Sequence, residues 1–255
     1  MPNKKVEVYA YVMTNADGFA PCVEDKLLTL ACCKTNLRYQ IGKKYNTHKK
    51  AFFGRDQEER EVFVIGLCGK QPAIINGTFD MMYYPVYIAR ITSALSVKEY
   101  HSEKYSGRKD QQYECKNGVW YSKASNPHSD YHAAAIDDGQ KLDGNYQKLV
   151  KRDIFFKGNK SILNYVLLSE DYAYFGSSLN QVDFPKTFGE LKDIIVNKKL
   201  YMVGFHTDNL TDDRLKLFQE FFSNCRNKNI SNIKGLEIQK TCSSTSKCRK
   251  KCGGC

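Results

Sequence analysis

Residues 6–12, VEVYAYV, alternate along the chain and are rich in β-favouring side chains. That period of two is the signature of a strand. Working outward, residues 61–67 (EVFVIGL) read as a second strand that ends close to a turn at Gly69. Residues 86–95 (VYIARITSAL) read as a third, with Tyr87, Ala89 and Ile91 on one face and Val86, Ile88 and Arg90 on the other. Residues 154–156 and 165–169 (YVLLS) supply two more. Around Lys116-Asn117-Gly118 the segments Tyr113-Glu-Cys and Val119-Trp-Tyr form a hairpin signal, because Asn-Gly suits a tight two-residue turn.

Three segments predict helices. In DGFAPCVEDKLLTLACCK (17–34), Pro21 fits the first helical turn, Glu24 and Asp25 complement its positive end, and Leu27, Leu28, Leu30 and Ala31 form a buried face. Thr187-Phe-Gly-Glu190 is a capping box that opens a helix to about residue 197. Thr211 caps a last helix in which Leu215, Phe218 and Phe222 share a face. Residues 35–60 read as a basic, polar connection. Residues 98–153 form a polar stretch too long for an inert loop, and therefore ligand-facing or functional. The order predicts an α+β fold: a small mixed or antiparallel β-barrel with flanking helices and a long polar insertion. One domain would cover residues 1–225, followed by a basic, cysteine-rich tail over 226–255.

The chain has 255 residues, 42% of them hydrophobic and 26% charged, which is ordinary for a globular protein. No run of about eighteen apolar residues is present, so no membrane helix is expected. The first residues, MPNKKVEVYAYV, lack the apolar core of a signal peptide, and an intracellular location is expected. In that setting the ten cysteines read as thiols or metal ligands rather than disulfides. The net charge is +11 and unevenly spread, with eight basic residues against one acid in 226–255. Arg38, Lys43, Lys44, Lys49 and Lys50, preceded by Lys34, form a second basic run. Such runs suit a polyanion, and they equally suit a solvated lysine-rich surface.

Several constellations could carry chemistry. Trp120 beside Tyr121, and Tyr172, Tyr174 and Phe175 after a strand, could stack on a planar base, and the same rings could fill a core. Cys22 with Glu24 and Asp25, helped by His128 or His132 and oriented by Asp137 or Asp138, has the residue types of nucleophilic catalysis. Cys242, Cys248, Cys252 and Cys255 could hold a structural Zn²⁺. His128 and His132 with Asp130 could also hold a metal.

The segments YAYVMTNADGFAPCVEDKLLTLACCK, REVFVIGL, PVYIARITSAL and NYVLLSEDYAYFG together resemble the nucleotide modification-associated domain family of type two, over roughly residues 6–205. That resemblance implies a place in DNA base-modification systems, including viral ones. VFVIGLCGK followed by VYIARITSAL, with the later FGELKDIIVNK, is similar to the EVE and YTH branch of PUA-like domains. By that analogy Trp120, Tyr172 and Tyr174 would cage a base. The expected function is recognition of a modified or flipped base in nucleic acid, DNA being favoured. Lys34, Arg38, Lys43, Lys44, Lys49 and Lys50 would hold phosphates, and Asn15, Asp17, Glu24 and Asp25 would read the base edge. A base- or nucleotide-modifying enzyme using Cys22 is the alternative expectation. A protein-interaction module docking its basic tail on an acidic partner is a third.

Overall fold

The computed structural model describes residues 5–13, 20–47, 60–70, 82–111, 113–117, 119–122, 153–159, 161–176 and 212–227. The chain divides into two compact units. The first comprises Met1–Gly18, Gly54–Ile91 and Asp171–Cys255, and the second Phe19–Phe53 and Thr92–Glu170.

The first unit is built on a four-stranded mixed sheet. Strand β1 (Lys5–Met13) runs parallel to β4 (Arg60–Cys68), which pairs antiparallel with β5 (Pro85–Arg90), and β5 with β10 (Asp171–Tyr174). The strands read at 6–12 and 61–67 are present, and the register places Tyr9 opposite Val64 and Tyr11 opposite Gly66. On one face Tyr11 and Tyr87 share a hydroxyl–hydroxyl hydrogen bond of 2.9 Å, and the Tyr9 hydroxyl donates to buried Glu7 at 3.0 Å. Gly66 is needed there, because a Cβ would stand 2.3 Å from the Tyr87 ring and 2.5 Å from the Met13 sulfur. On the other face Phe63 meets Phe218 and Phe222 edge to face, at 5.0 and 5.1 Å. Those two rings lie on a helix over Asp212–Asn227, so the shared face expected for them is present. Arg90 ties three strands together, reaching Asp171 at 2.5 Å and Glu61 at 3.1 Å.

The second unit has an antiparallel sheet in the order β2 (Cys22–Glu24), β3 (Leu27–Leu30), β9 (Tyr165–Ser169), β6 (Ser93–Ser96). Helix α1 (Thr35–Thr47) packs on β9 and β6. Its buried side is Leu37, Ile41 and Tyr45, four residues apart, together with Arg38. Gly42 lets the helix approach the sheet, since a Cβ there would fall 2.2 Å from the Tyr165 ring. A one-turn helix α2 (Val97–Tyr100) starts at a capping box made by Ser96 and Glu99. The expected hairpin is present as β7 (Tyr113–Lys116) and β8 (Val119–Ser122), with Asn117 left-handed at φ 52°. Val97, Tyr100, Tyr113, Ile154, Val166 and Leu168 form this unit's core.

Five expectations are corrected. The mixed α+β class holds, but the described strands form two open four-stranded sheets and a hairpin, not a closed PUA-like barrel. The helix expected after Pro21 is instead the β2–β3 hairpin, whose turn residues Asp25 and Lys26 both have positive φ, 50° and 60°, as a type I′ turn requires. The connection expected over 35–60 contains α1. The strand read over 86–95 breaks at Ile91-Thr92, and the chain passes from one unit to the other there. Residues 154–156 hold only a single bridge, Phe155 to Leu163, next to a 3-10 turn over Phe156–Gly158. The helix expected over 187–197 lies outside the described residues, as does the tail beyond Asn227.

Candidate nucleic-acid interface

The basic run foreseen between Lys34 and Lys50 is, up to Thr47, mostly one helix. Its cations do different things. Arg38 is 0% exposed and faces inward. Its Nε donates to the Cys33 carbonyl at 2.7 Å, and one terminal nitrogen donates to the carbonyls of Ala31 at 2.6 Å and Tyr165 at 2.7 Å. The other donates to the Asp153 carbonyl at 2.9 Å and lies 3.7 Å from that residue's carboxylate. The guanidinium fork is thereby spent on carbonyls just after β3, at the head of β9 and at Asp153. Arg38 is not a phosphate ligand; it is a buried clamp. Asp153 completes the clamp, accepting from the Cys33 amide at 2.9 Å and the Tyr113 hydroxyl at 2.8 Å.

Lys43 is exposed, and Lys34 and Lys44 are half-buried. The segment from Lys34 to Thr47 itself contains no acidic residue. Tyr39 of the same helix belongs to a column of rings. Tyr39 stacks on Phe156 with centroids 3.7 Å apart and planes within 10°, and Tyr165 leans on Tyr39 at 5.9 Å. All three rings are partly exposed. The exposed Lys157, held left-handed at φ 52°, carries its ammonium 5.4 Å from the Phe156 ring centre. Lys43 follows Tyr39 by four residues and so shares its side of α1. Tyr39, Phe156 and Lys157 were not foreseen as site residues. The Tyr39-x3-Lys43 spacing was the available signal, and it has meaning only on a helix.

A second polar cluster occupies the sheet end that the sequence offered as a catalytic site. Cys22 is 0% exposed. Burial first, then the carboxylates of Asp110 and Glu24, raise its thiol pKa, with Arg108 opposing them. A nucleophilic cysteine needs the reverse. Arg108 sits 3.8 Å from the Cys22 sulfur and donates to the Glu24 carbonyl at 3.0 Å, the Leu27 carbonyl at 3.1 Å, and the hydroxyls of Thr29 and Tyr100 at 3.1 Å each. Asp110, 1% exposed, accepts from Thr29 at 2.5 Å and Tyr100 at 2.6 Å. Its carboxyl pKa is raised, burial being the leading cause. The Glu24 carboxylate accepts from the Lys109 amide at 3.0 Å and pairs with its ammonium at 3.5 Å. Asp25 is exposed in the hairpin turn. This arrangement anchors the β2–β3 hairpin to the 108–110 loop; it does not expose a reactive thiol.

The remaining candidates belong to one unit or the other, or lie outside the described residues. Trp120 packs against the second unit's core with its indole edge-on to His101 at 5.7 Å, and Tyr121 follows it in β8. Tyr172, half-buried, and Tyr174 and Phe175, both buried, belong to the first unit. Asn15, Asp17, Lys49, Lys50, His128, Asp130, His132, Asp137, Asp138, Cys242, Cys248, Cys252 and Cys255 lie outside the described residues. Among the described residues no group of three His, Cys, Asp or Glu side chains could hold a metal. Among them, too, no helix is long and apolar enough to cross a membrane.

No protein-family model, no curated protein and no solved structure matches the chain.

Proposed function

We propose that the protein binds nucleic acid through the exposed side of α1, within a base-modification system of the kind its sequence resemblance implies. One observation carries this reading: a helix with Lys43 and Lys44, entered at Lys34 and free of acidic residues, borders partly exposed aromatic rings. Polyanion affinity of this sort comes from counterion release, so it falls steeply with salt. The burial of Cys22 favours binding over covalent catalysis by that thiol.

The test is a titration of fluorescently labelled duplex and single-stranded DNA between about 50 and 200 mM salt. Affinity is expected to fall log-linearly with salt concentration. The pair Lys43→Glu and Lys44→Glu should lower that slope by roughly 2, because each phosphate contact contributes about 0.9. Salt-insensitive binding, or an unchanged slope in the double variant, contradicts the proposal.

A further inference from the structure

Deepening that reading and resting on it, we propose that the Phe156–Tyr39 ring column is the seat of an unpaired base, which makes a single strand the ligand of this face. Phe156 and Tyr39 lie almost directly over one another, as a flat two-layer slab. Tyr165 braces the inner end of the slab, and Gly42 lets that brace sit tight against α1. The ammonium of Lys157, on a long, exposed side chain, lies over the Phe156 ring at 5.4 Å from its centre. A cation over a ring face marks the negative potential there, and it is displaced at small cost. A nucleobase is a flat π-system of the same thickness and adds to the slab as the next layer.

The charges suit the rest of a nucleotide. When the base takes the outer face of Phe156, Lys157 turns from the ring to the adjoining phosphate. Lys43, on the same side of α1 as Tyr39, meets the next phosphate along the strand. Duplex DNA offers this site only phosphates, since its base faces are already stacked on one another. A single strand offers both partners at once.

The probes are a labelled short oligothymidylate and an abasic oligonucleotide with the same number of phosphates. The wild type should bind the base-bearing strand roughly 10-fold or more tightly, the effect expected of one stacked base. Phe156→Leu should bring oligothymidylate affinity down to that of the abasic strand, and Phe156→Trp should retain the preference. Emission from Trp120, the chain's one tryptophan and a neighbour of the same unit's core, checks that Phe156→Leu is folded, and circular dichroism checks Phe156→Trp. Equal affinity for the two strands in the wild type, or an undiminished preference in folded Phe156→Leu, overturns the stacking site while salt-dependent binding keeps the broader function. Absence of binding to both strands overturns the two together.

Discussion

Arg38→Met is expected to lower stability by about 3–5 kcal/mol, the cost of removing one partner from a buried ion pair. The effect is large because the guanidinium satisfies four carbonyls, those of Ala31, Cys33, Asp153 and Tyr165. Methionine fills similar volume and supplies no donor, so those acceptors lose their partner away from water. Asp153 would keep the Cys33 amide and Tyr113 hydroxyl but lose its cation. Arg38→Lys should recover only part of the loss, since an ammonium cannot reproduce the planar fork. Denaturant unfolding followed by circular dichroism measures both. If Arg38 were instead a phosphate ligand, Arg38→Met would unfold like the parent and bind DNA more weakly. Stability within about 0.5 kcal/mol of the parent, the range of ordinary surface substitutions, would refute the clamp.

The second large effect is expected at Arg108. Arg108→Met strips the β2–β3 hairpin of its ties at Glu24, Leu27 and Thr29, and leaves the Asp110 carboxylate buried without its cation 3.6 Å away. A loss of about 3–5 kcal/mol follows at neutral pH. The loss should depend on pH in a definite direction. Burial already raises the Asp110 pKa in the folded state, and removing the arginine raises it further. A folded pKa above the unfolded one gives stability that is complete below the unfolded value and fades as pH rises through the folded value. The Arg108→Met deficit should therefore shrink on acidification toward the unfolded carboxyl pKa of about 3.9. Asp110→Asn in the same background should restore part of the stability at neutral pH, because the uncompensated charge is gone. A deficit that is flat between pH 4 and neutrality, or unaffected by Asp110→Asn, would show that the charge pairing contributes nothing.

The strands were legible where β-favouring, apolar residues cluster in short segments, as at 6–12 (with a period of two), 61–67 and 165–169. The Asn117 turn was legible because its residue types leave few other conformations. The β2–β3 hairpin was not. Leu27, Leu28 and Leu30 fit a helical face as well as a strand, and Lys26 in a left-handed turn carries no residue signal. Helix α1 was hidden by Arg38 and Gly42, a cation and a helix-weakening glycine on the side that turns out to be buried. Whether strands close into a barrel depends on pairings between distant segments, and alternation within a segment does not specify these. The ring column has the same character: Tyr39 and Phe156 are far apart in sequence and meet only after folding. Cys22 was misread for a related reason. The acids and cation that set its thiol pKa come partly from the 108–110 loop, a region the sequence marks only as polar.

The most direct test of the account is photocrosslinking of the full chain to a bromouracil-containing single strand, with the adducts mapped by mass spectrometry. Adducts are expected on Tyr39 or Phe156, abolished by competing unlabelled single strand and reduced in the Lys43→Glu, Lys44→Glu variant. Adducts confined to positions outside α1 and the Phe156–Gly158 turn would contradict it.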